Sequence, residues 1–454
     1  MVYKDIPRAG DLALLTDLYQ LTMLQAYVAE GMTETAVFDL FARRLPEARN
    51  YLIAAGLENA LDFLENVRFG EESLKYLDSL GNFSPEFLDY LADFRFTGDV
   101  YAVPEGTVVF ANEPILEVSA PLPQAQVVET FLLNQMHYQT VVASKAARVV
   151  TAAEGRTVVD FGLRRYHGID AGLKAARASY IAGVDATSNV LAGKVYGIPV
   201  TGTMAHSYVL AHDDELEAFA RFAECYPETV LLVDTYDTLE GVRKVVALAE
   251  RLGGEFKVRA IRLDSGDLAQ LAGQARTILS EAGLTDVDIF ASGDLDEHRI
   301  AELVASGAPI GGFGVGTRMG VSADAPYLNS AYKLVSYAGR ARMKLSAEKS
   351  TMPGRKQVFR QMQDSRMVRD VIGLHDESIA GHPLLRLVMS AGKRLPEASP
   401  DLKRVRSYCA EERDTLPDPL LDLKSLETPY HVDVSIGLAA ERDRVVRLLS
   451  ASQA

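Results

Sequence analysis

Between Thr157 and Val315 the chain repeats one pattern, a short apolar run followed by an amphipathic segment. The runs are Thr157–Phe161, Val184–Ser188, Ile198–Thr203, Thr229–Thr235, Lys257–Asp264, Val287–Ser292 and Gly311–Val315. Between the fourth and fifth, Thr238–Leu252 sets Leu239, Val242, Val245, Val246, Ala249 and Leu252 on one face at a 3.6-residue period, which predicts a helix. Strands joined by crossover helices run parallel, because antiparallel neighbours need only a tight turn. Seven such strands fit a barrel or a doubly wound sheet; their short, unequal lengths favour an irregular α/β barrel.

The flanking regions read differently. A chain of 454 residues has room for two or three domains. The expected division is an N-terminal domain over 1–125, the barrel with the catalytic centre over 126–340, and a basic loop and C-terminal region over 341–454 that partly returns to the first domain. Asp11–Ala29 and Leu52–Leu64 have helical spacing, Ala36–Phe41 reads as a strand, and Val100–Ala120 mixes β-branched residues with turn signals such as Pro104-Glu-Gly. Pro121-Leu-Pro123 reads as a junction. After Tyr337 the chain turns basic, with Arg340, Arg342, Lys344, Lys349, Arg355, Lys356 and Arg360; Val358–Met362 reads as a strand and Ile436–Leu449 as a helix.

Charge and composition narrow the partners. Lys and Arg number 47 against 62 Asp and Glu, a net charge of −15. Such a chain is repelled by nucleic acid and anionic membranes, so any anionic ligand needs a focused local site. No apolar run approaches the roughly 20 residues of a membrane helix. The segment Met1–Gly10 lacks the apolar core of a signal peptide. Two cysteines, Cys225 and Cys409, are too few for a disulfide framework or a zinc cluster. A cytoplasmic protein is expected.

The predicted strand ends carry the chemistry. They read Asp160-Phe-Gly-Leu-Arg-Arg165, Thr201-Gly-Thr-Met-Ala-His-Ser207, Asp234-Thr-Tyr-Asp237, Arg262-Leu-Asp-Ser-Gly-Asp267, Ala291-Ser-Gly-Asp294 and Gly311-Gly-Phe-Gly-Val-Gly-Thr-Arg318. In a parallel barrel these ends share one face, where function sits. The Gly311–Thr317 stretch suits an anion, since glycines let backbone N–H groups approach it and Thr317 adds a hydroxyl; the alternative is a tight turn. Asp264 is placed to hold ribose hydroxyls or a hydrated Mg²⁺, while Asp267 or Ser265 can cap the next helix. Arg262 shares a strand face with Asp264, so its partner is either that carboxylate or a substrate's. His206 stands in a loop and is a general base, a phosphoryl acceptor or a structural histidine.

Taken together, Leu15-Thr-Asp-Leu-Tyr-Gln-Leu-Thr-Met23, Phe161-Gly-Leu-Arg-Arg165, Gly202-Thr-Met-Ala-His-Ser207, Arg262-Leu-Asp-Ser-Gly-Asp267, Gly314-Val-Gly-Thr317, Lys344-Leu-Ser and Pro353-Gly-Arg-Lys-Gln-Val358 resemble the nicotinate phosphoribosyltransferases. The resemblance runs in order from about residue 12 to 360. It implies an irregular α/β barrel beside an open-faced α/β sandwich domain, in a homodimer with shared active sites. It implies transfer of phosphoribosyl from 5-phosphoribosyl 1-pyrophosphate to nicotinate, coupled to ATP hydrolysis with Mg²⁺, a ligase-type activity at the entry to NAD salvage. It places a phosphohistidine at His206, and Asp264 is taken as a second catalytic residue. Nicotinate contacts fall on Tyr19, Phe161, Thr203 and Arg262, with Tyr19 reaching from the neighbouring subunit. Phosphoribosyl contacts fall on Arg165, Ser292, Gly293, Gly314, Gly316, Thr317 and Lys344, and the basic run from Arg340 to Lys356 becomes a cation reservoir for pyrophosphate. No metal ligands are assigned.

The chain departs from this pattern where many relatives read Arg-Arg-Ala-Gln-Gly-Pro-Asp; here the segment is Arg164-Arg-Tyr-His-Gly-Ile-Asp170. Three rival readings stay open. Nicotinamide could replace nicotinate, but Ser188 stands where nicotinamide enzymes carry an Asp. The others are a sugar-phosphate barrel enzyme such as an isomerase, and a non-catalytic nucleotide-binding barrel.

Overall fold

A computed structural model describes residues 9–47, 49–345 and 351–451. The chain forms two compact units. One is continuous, Val142–Pro326; the other joins the residues up to Val141 with those from Tyr327 onward. The divisions therefore fall at 141/142, inside the helix Glu129–Ala152, and at 326/327, rather than at 125/126 and 340/341. Pro121-Leu-Pro123 is no junction. It ends a strand and opens the helix Leu122–Val127 inside the discontinuous unit.

The continuous unit holds six parallel strands: β1 (Thr157–Asp160), β2 (Ala186–Thr187), β3 (Val230–Leu232), β4 (Ala260–Leu263), β5 (Asp288–Ala291) and β6 (Gly312–Val315). Their order is β2-β1-β6-β5-β4-β3, an open half-barrel. The seventh expected strand, Ile198–Thr203, contributes only a parallel bridge from Val200 to Thr187. Pro199 lacks an N–H for the ladder and Gly202 weakens extension, so the edge frays there. The helix Thr238–Leu252 forms as its spacing predicts, with Asp237 accepting from Glu240 N at 2.9 Å as its cap. It lies tight on β3, since a Cβ at Gly241 would stand 2.1 Å from Val233 O. Asp267 and Asp296 cap the next two helices.

The discontinuous unit is built on a seven-stranded sheet. Its order is Arg340–Ala341, Ser330–Tyr337, Thr35–Ala42, Pro114–Pro121, Asp99–Ala102, Arg386–Ser390 and Lys393–Arg394. C-terminal strands thus return to flank the N-terminal ones. The interior strand Thr35–Ala42 is buried along nearly its whole length. Its core includes Phe38, Leu40, Leu61, Leu64, Phe87, Leu116 and Tyr332, whose hydroxyl donates to Ala125 O at 2.7 Å. The expected Asp11–Ala29 helix divides into a 3₁₀ turn, Ala9–Leu14, and a helix, Leu18–Ala29; Leu52–Ile53 is a short strand ahead of the helix Leu57–Asn66.

A second sheet carries His382–Pro383, Lys356–Gln363, Arg366–Leu374 and Val432–Val434. Much of the basic run is spent here. Arg355 pairs with Glu117 at 3.0 Å, Lys356 with Asp39 at 2.8 Å, and Arg360 with Asp370 and Glu412 at 2.7 and 2.9 Å. Lys356, Arg360, Asp39, Glu117 and Asp370 are buried, so these charges neutralise one another inside the fold. Burial raises Asp39 to about 6, against the pull of Lys356. The reservoir shrinks to the exposed Arg340, Arg342 and Lys344; Ser346 and Lys349 lie outside the described residues. No described helix is long and apolar enough to cross a membrane.

Candidate functional site

Because the six strands are parallel, their carboxyl ends bring the polar segments to one edge. In register, Arg262 of β4 lies between Leu232 of β3 and Phe290 of β5. Phe161, just after β1, faces Phe290 with ring centroids 6.0 Å apart and planes inclined at 51°. The Arg262 guanidinium lies 5.8 Å from the Phe161 centroid. Gly312 and Gly314 make this possible: a Cβ at either would stand 2.7 Å from the Phe290 ring or 2.5 Å from the Phe161 ring. Gly314, expected in a phosphate loop, is thus placed in the buried strand β6, where its missing side chain makes room for an aromatic ring. Phe290 was not visible as a site residue in the sequence, since its partnership with Arg262 is a matter of strand register.

Arg262 is largely buried, and its Nη2 donates to Met204 O at 3.0 Å. Its Nε is buried without a hydrogen-bond partner. Among the described residues no carboxylate lies within ion-pair distance of it, and Asp264 instead accepts from Ser292 Oγ. Burial lowers the Arg262 pKa, with Asp264 and Asp234 pulling the other way, yet a guanidinium stays charged at neutral pH. A partly buried cation with an unused donor beside two phenyl rings can receive a flat ring bearing an acid group. Thr203 adjoins it, its hydroxyl donating to the same Met204 carbonyl at 3.1 Å.

A second cluster surrounds His206. Its Nδ1 lies 3.2 Å from Thr235 Oγ1 and its Nε2 lies 3.9 Å from Asp264 Oδ2. With the proton on Nδ1 donated to Thr235, the lone pair sits on Nε2, the tautomer a nucleophilic or basic imidazole needs. Asp234 Oδ2 accepts from Asp264 N at 2.9 Å and Ser265 Oγ at 2.8 Å, and its Oδ1 is buried without a partner. Thr235 and Asp234 were quoted at a strand end but given no role from sequence. Gly293 is required by its backbone: its φ is +95°, and a Cβ would stand 1.8 Å from Asp264 O. That close approach seats Ser292 on Asp264.

The third group is basic. Arg165 Nη1 donates to Thr317 Oγ1 at 3.4 Å, and Thr317 opens the short helix Thr317–Gly320. A Cβ at Gly316 would meet Phe161 O at 3.1 Å, so that crossing is close. Arg318 is tied to Asp294 at 2.8 Å and Asp296 at 3.2 Å. Tyr19 and Lys344 belong to the other unit. Tyr19 is 49% exposed, beside exposed Leu15 and Leu18, while the next residue, Gln20, is buried and donates to Glu129 at 2.9 Å.

The site suits a hard divalent cation only in part. Asp234 offers an unpartnered carboxylate oxygen and Asp264 lies close by, but no described group of three or more acidic, His or Cys side chains could cage a metal. Mg²⁺ tolerates this, since it keeps waters and takes substrate phosphate oxygens alongside one or two carboxylates.

Comparison with known proteins adds an independent line. Residues 14–137 match the family model of the nicotinate phosphoribosyltransferase N-terminal domain. The chain is 54% identical over 433 residues to nicotinate phosphoribosyltransferase pncB2 of Mycobacterium tuberculosis, covering 95% of this chain and 94% of that one. It is 45% identical over 386 residues to nicotinate phosphoribosyltransferase of Bacillus subtilis, covering 83% and 79%. The crystal structure of human nicotinic acid phosphoribosyltransferase superimposes with a TM-score of 0.84 at 30% identity, over 95% of this chain and 99% of that one.

Proposed function

The chain belongs to the nicotinate phosphoribosyltransferase family, and from that premise we propose that it transfers the phosphoribosyl group of 5-phosphoribosyl 1-pyrophosphate to nicotinate. The products are nicotinate mononucleotide and pyrophosphate. The observation that carries this reading is Arg262, a partly buried guanidinium with an unused buried Nε donor, 5.8 Å from the Phe161 ring and beside Phe290 in strand register. Nicotinate is a flat ring bearing one carboxylate, which matches that receptor. Incubating purified protein with both substrates and assaying nicotinate mononucleotide tests the proposal; no product would sink it and leave the non-catalytic reading.

In the proposed reaction Arg262 anchors the carboxylate and Phe161 covers the ring, so that the pyridine nitrogen points at the anomeric carbon of the ribose. Asp264, held by Ser292, orients ribose hydroxyls. Arg165, Gly316 and Thr317 receive phosphate oxygens. Asp234 and Asp264 would hold Mg²⁺, whose chemistry is to neutralise the departing pyrophosphate. Coupling to ATP falls on His206: its Nε2 accepts the terminal phosphoryl group of ATP, ADP leaves, and Thr235 at Nδ1 holds the imidazole in place.

Ser188 supports nicotinate over nicotinamide. It is half-buried, with its N–H on Asp160 O at 2.9 Å, and a neutral hydroxyl there repels no carboxylate. Ser188→Asp should lower kcat/KM for nicotinate by about tenfold or more through like-charge repulsion. Unchanged kinetics would remove Ser188 from the selectivity argument.

The proposed assembly is a homodimer with shared sites. The exposed apolar group Leu15, Leu18 and Tyr19, at 47%, 55% and 49%, supports it as a surface that a second copy would cover. Tyr19→Ala and His206→Ala proteins, each impaired, should regain activity when mixed and allowed to exchange subunits, because one site in each mixed dimer carries neither change. No recovery despite demonstrated exchange would mean that each chain builds its own site.

A further inference from the structure

We propose that Tyr166 is a positioning residue for the phosphoribosyl-binding rim: its hydroxyl ties the Arg165 turn to Asp160, and its ring locks that turn against the helix beginning at Thr317. The inference rests on the phosphoribosyl-transfer reading and adds to it a residue at the point where this chain departs from the family pattern.

Tyr166 is 8% exposed, although Arg164, Arg165 and His167 around it are exposed. Its ring fills space that two glycines leave open. A Cβ at Gly162 would stand 2.1 Å from its Cζ, and a Cβ at Gly320 would stand 2.0 Å from its Cε1. Gly162 lies at the exit of β1 and Gly320 closes the helix Thr317–Gly320. One ring therefore packs on both elements that present Arg165 and Thr317, the pair joined at 3.4 Å. An alanine here would reach neither Gly320 nor Asp160.

The hydroxyl donates to Asp160 Oδ1. Asp160 is 1% exposed and stands at the centre of a small network. The same Oδ1 accepts from Gly162 N at 2.9 Å, and Oδ2 accepts from Thr187 Oγ1 at 2.8 Å. Burial raises the Asp160 pKa, and the donors from Tyr166, Gly162 and Thr187 oppose that rise. Removing the Tyr166 hydroxyl leaves this buried carboxylate under-satisfied on the side facing the Arg165 turn. The Thr187 side, which leads to Ser188, keeps its bond. So little of Tyr166 is exposed that it offers substrate almost no surface; its effect passes through Arg165 and Thr317.

The test uses the full chain, with each substrate varied at saturating levels of the other. Tyr166→Phe, which keeps the ring, should raise KM for 5-phosphoribosyl 1-pyrophosphate about fivefold, the worth of one hydrogen bond, with kcat and KM for nicotinate nearly unchanged. Tyr166→Ala should raise it further. In a Thr317→Ala background, Tyr166→Phe should add little, since the group it positions is gone. A lowered melting temperature with both KM values unchanged, or an equal rise in both, would overturn the proposal and leave Tyr166 a packing residue. Calorimetric affinity for 5-phosphoribosyl 1-pyrophosphate gives the same comparison without turnover. A wild-type protein that binds this ligand yet makes no nicotinate mononucleotide would defeat the reaction, while the Phe variant still decides the role of Tyr166.

Discussion

Arg262→Ala is expected to weaken nicotinate binding about 10- to 100-fold, the range for a charge-assisted hydrogen bond of about 1.5–3 kcal/mol to a buried carboxylate. Affinity for 5-phosphoribosyl 1-pyrophosphate should hardly change, because the Arg165–Thr317 pair and the Asp264–Ser292 pair stay in place. The contrast between ligands matters more than the size of the loss. A folding defect would weaken both, whereas loss of the one guanidinium whose Nε has no protein partner weakens nicotinate alone. Titration calorimetry with each ligand in turn decides it, and unchanged nicotinate affinity would take Arg262 out of the pyridine site. Arg262→Lys should recover only part of the loss, since an ammonium is a point charge without the planar fork that meets both carboxylate oxygens.

The second large effect concerns His206. With ATP and Mg²⁺ the protein should acquire an acid-labile, base-stable phosphate, the behaviour of a phosphorus–nitrogen bond. His206→Ala should abolish that label together with any stimulation by ATP. Phosphoribosyl transfer should continue at a reduced, uncoupled rate, because Arg262, Asp264 and Thr317 still orient both substrates. The structure places His206 not in a loop but at the start of the helix His206–Leu210, and the competing account is that it only braces that helix start through Thr235. Under that account the variant loses about 1 kcal/mol of stability and responds to ATP as before. Normal ATP stimulation in folded His206→Ala protein would refute the phosphoryl-acceptor role and leave the transfer reaction standing.

Some of this molecule is written locally. The alternation of short apolar runs with 3.6-period helices is a property of neighbouring residues, so the parallel sheet and the helix Thr238–Leu252 follow from the sequence alone. Parallel strands then force the polar strand ends onto one edge, which is why Arg262, Asp264 and Thr317 read as candidate site residues. Other features depend on partners far away in the chain, and only the tertiary structure decided them. Phe290 joins the site because β4 and β5 pair Arg262 with it in register. Gly312 and Gly314 read as an anion loop until the Phe290 and Phe161 rings are seen filling the space beside them. Arg355 and Lys356 read as free cations until Glu117 and Asp39, more than 200 residues away in the chain, are buried against them. Tyr166 read as a departure until Gly162, Gly320 and Asp160 closed around it. Periodicity reports which face of an element is apolar. Which groups then meet across the fold is set by strand register and by the return of the C-terminal strands, and neither leaves a local trace.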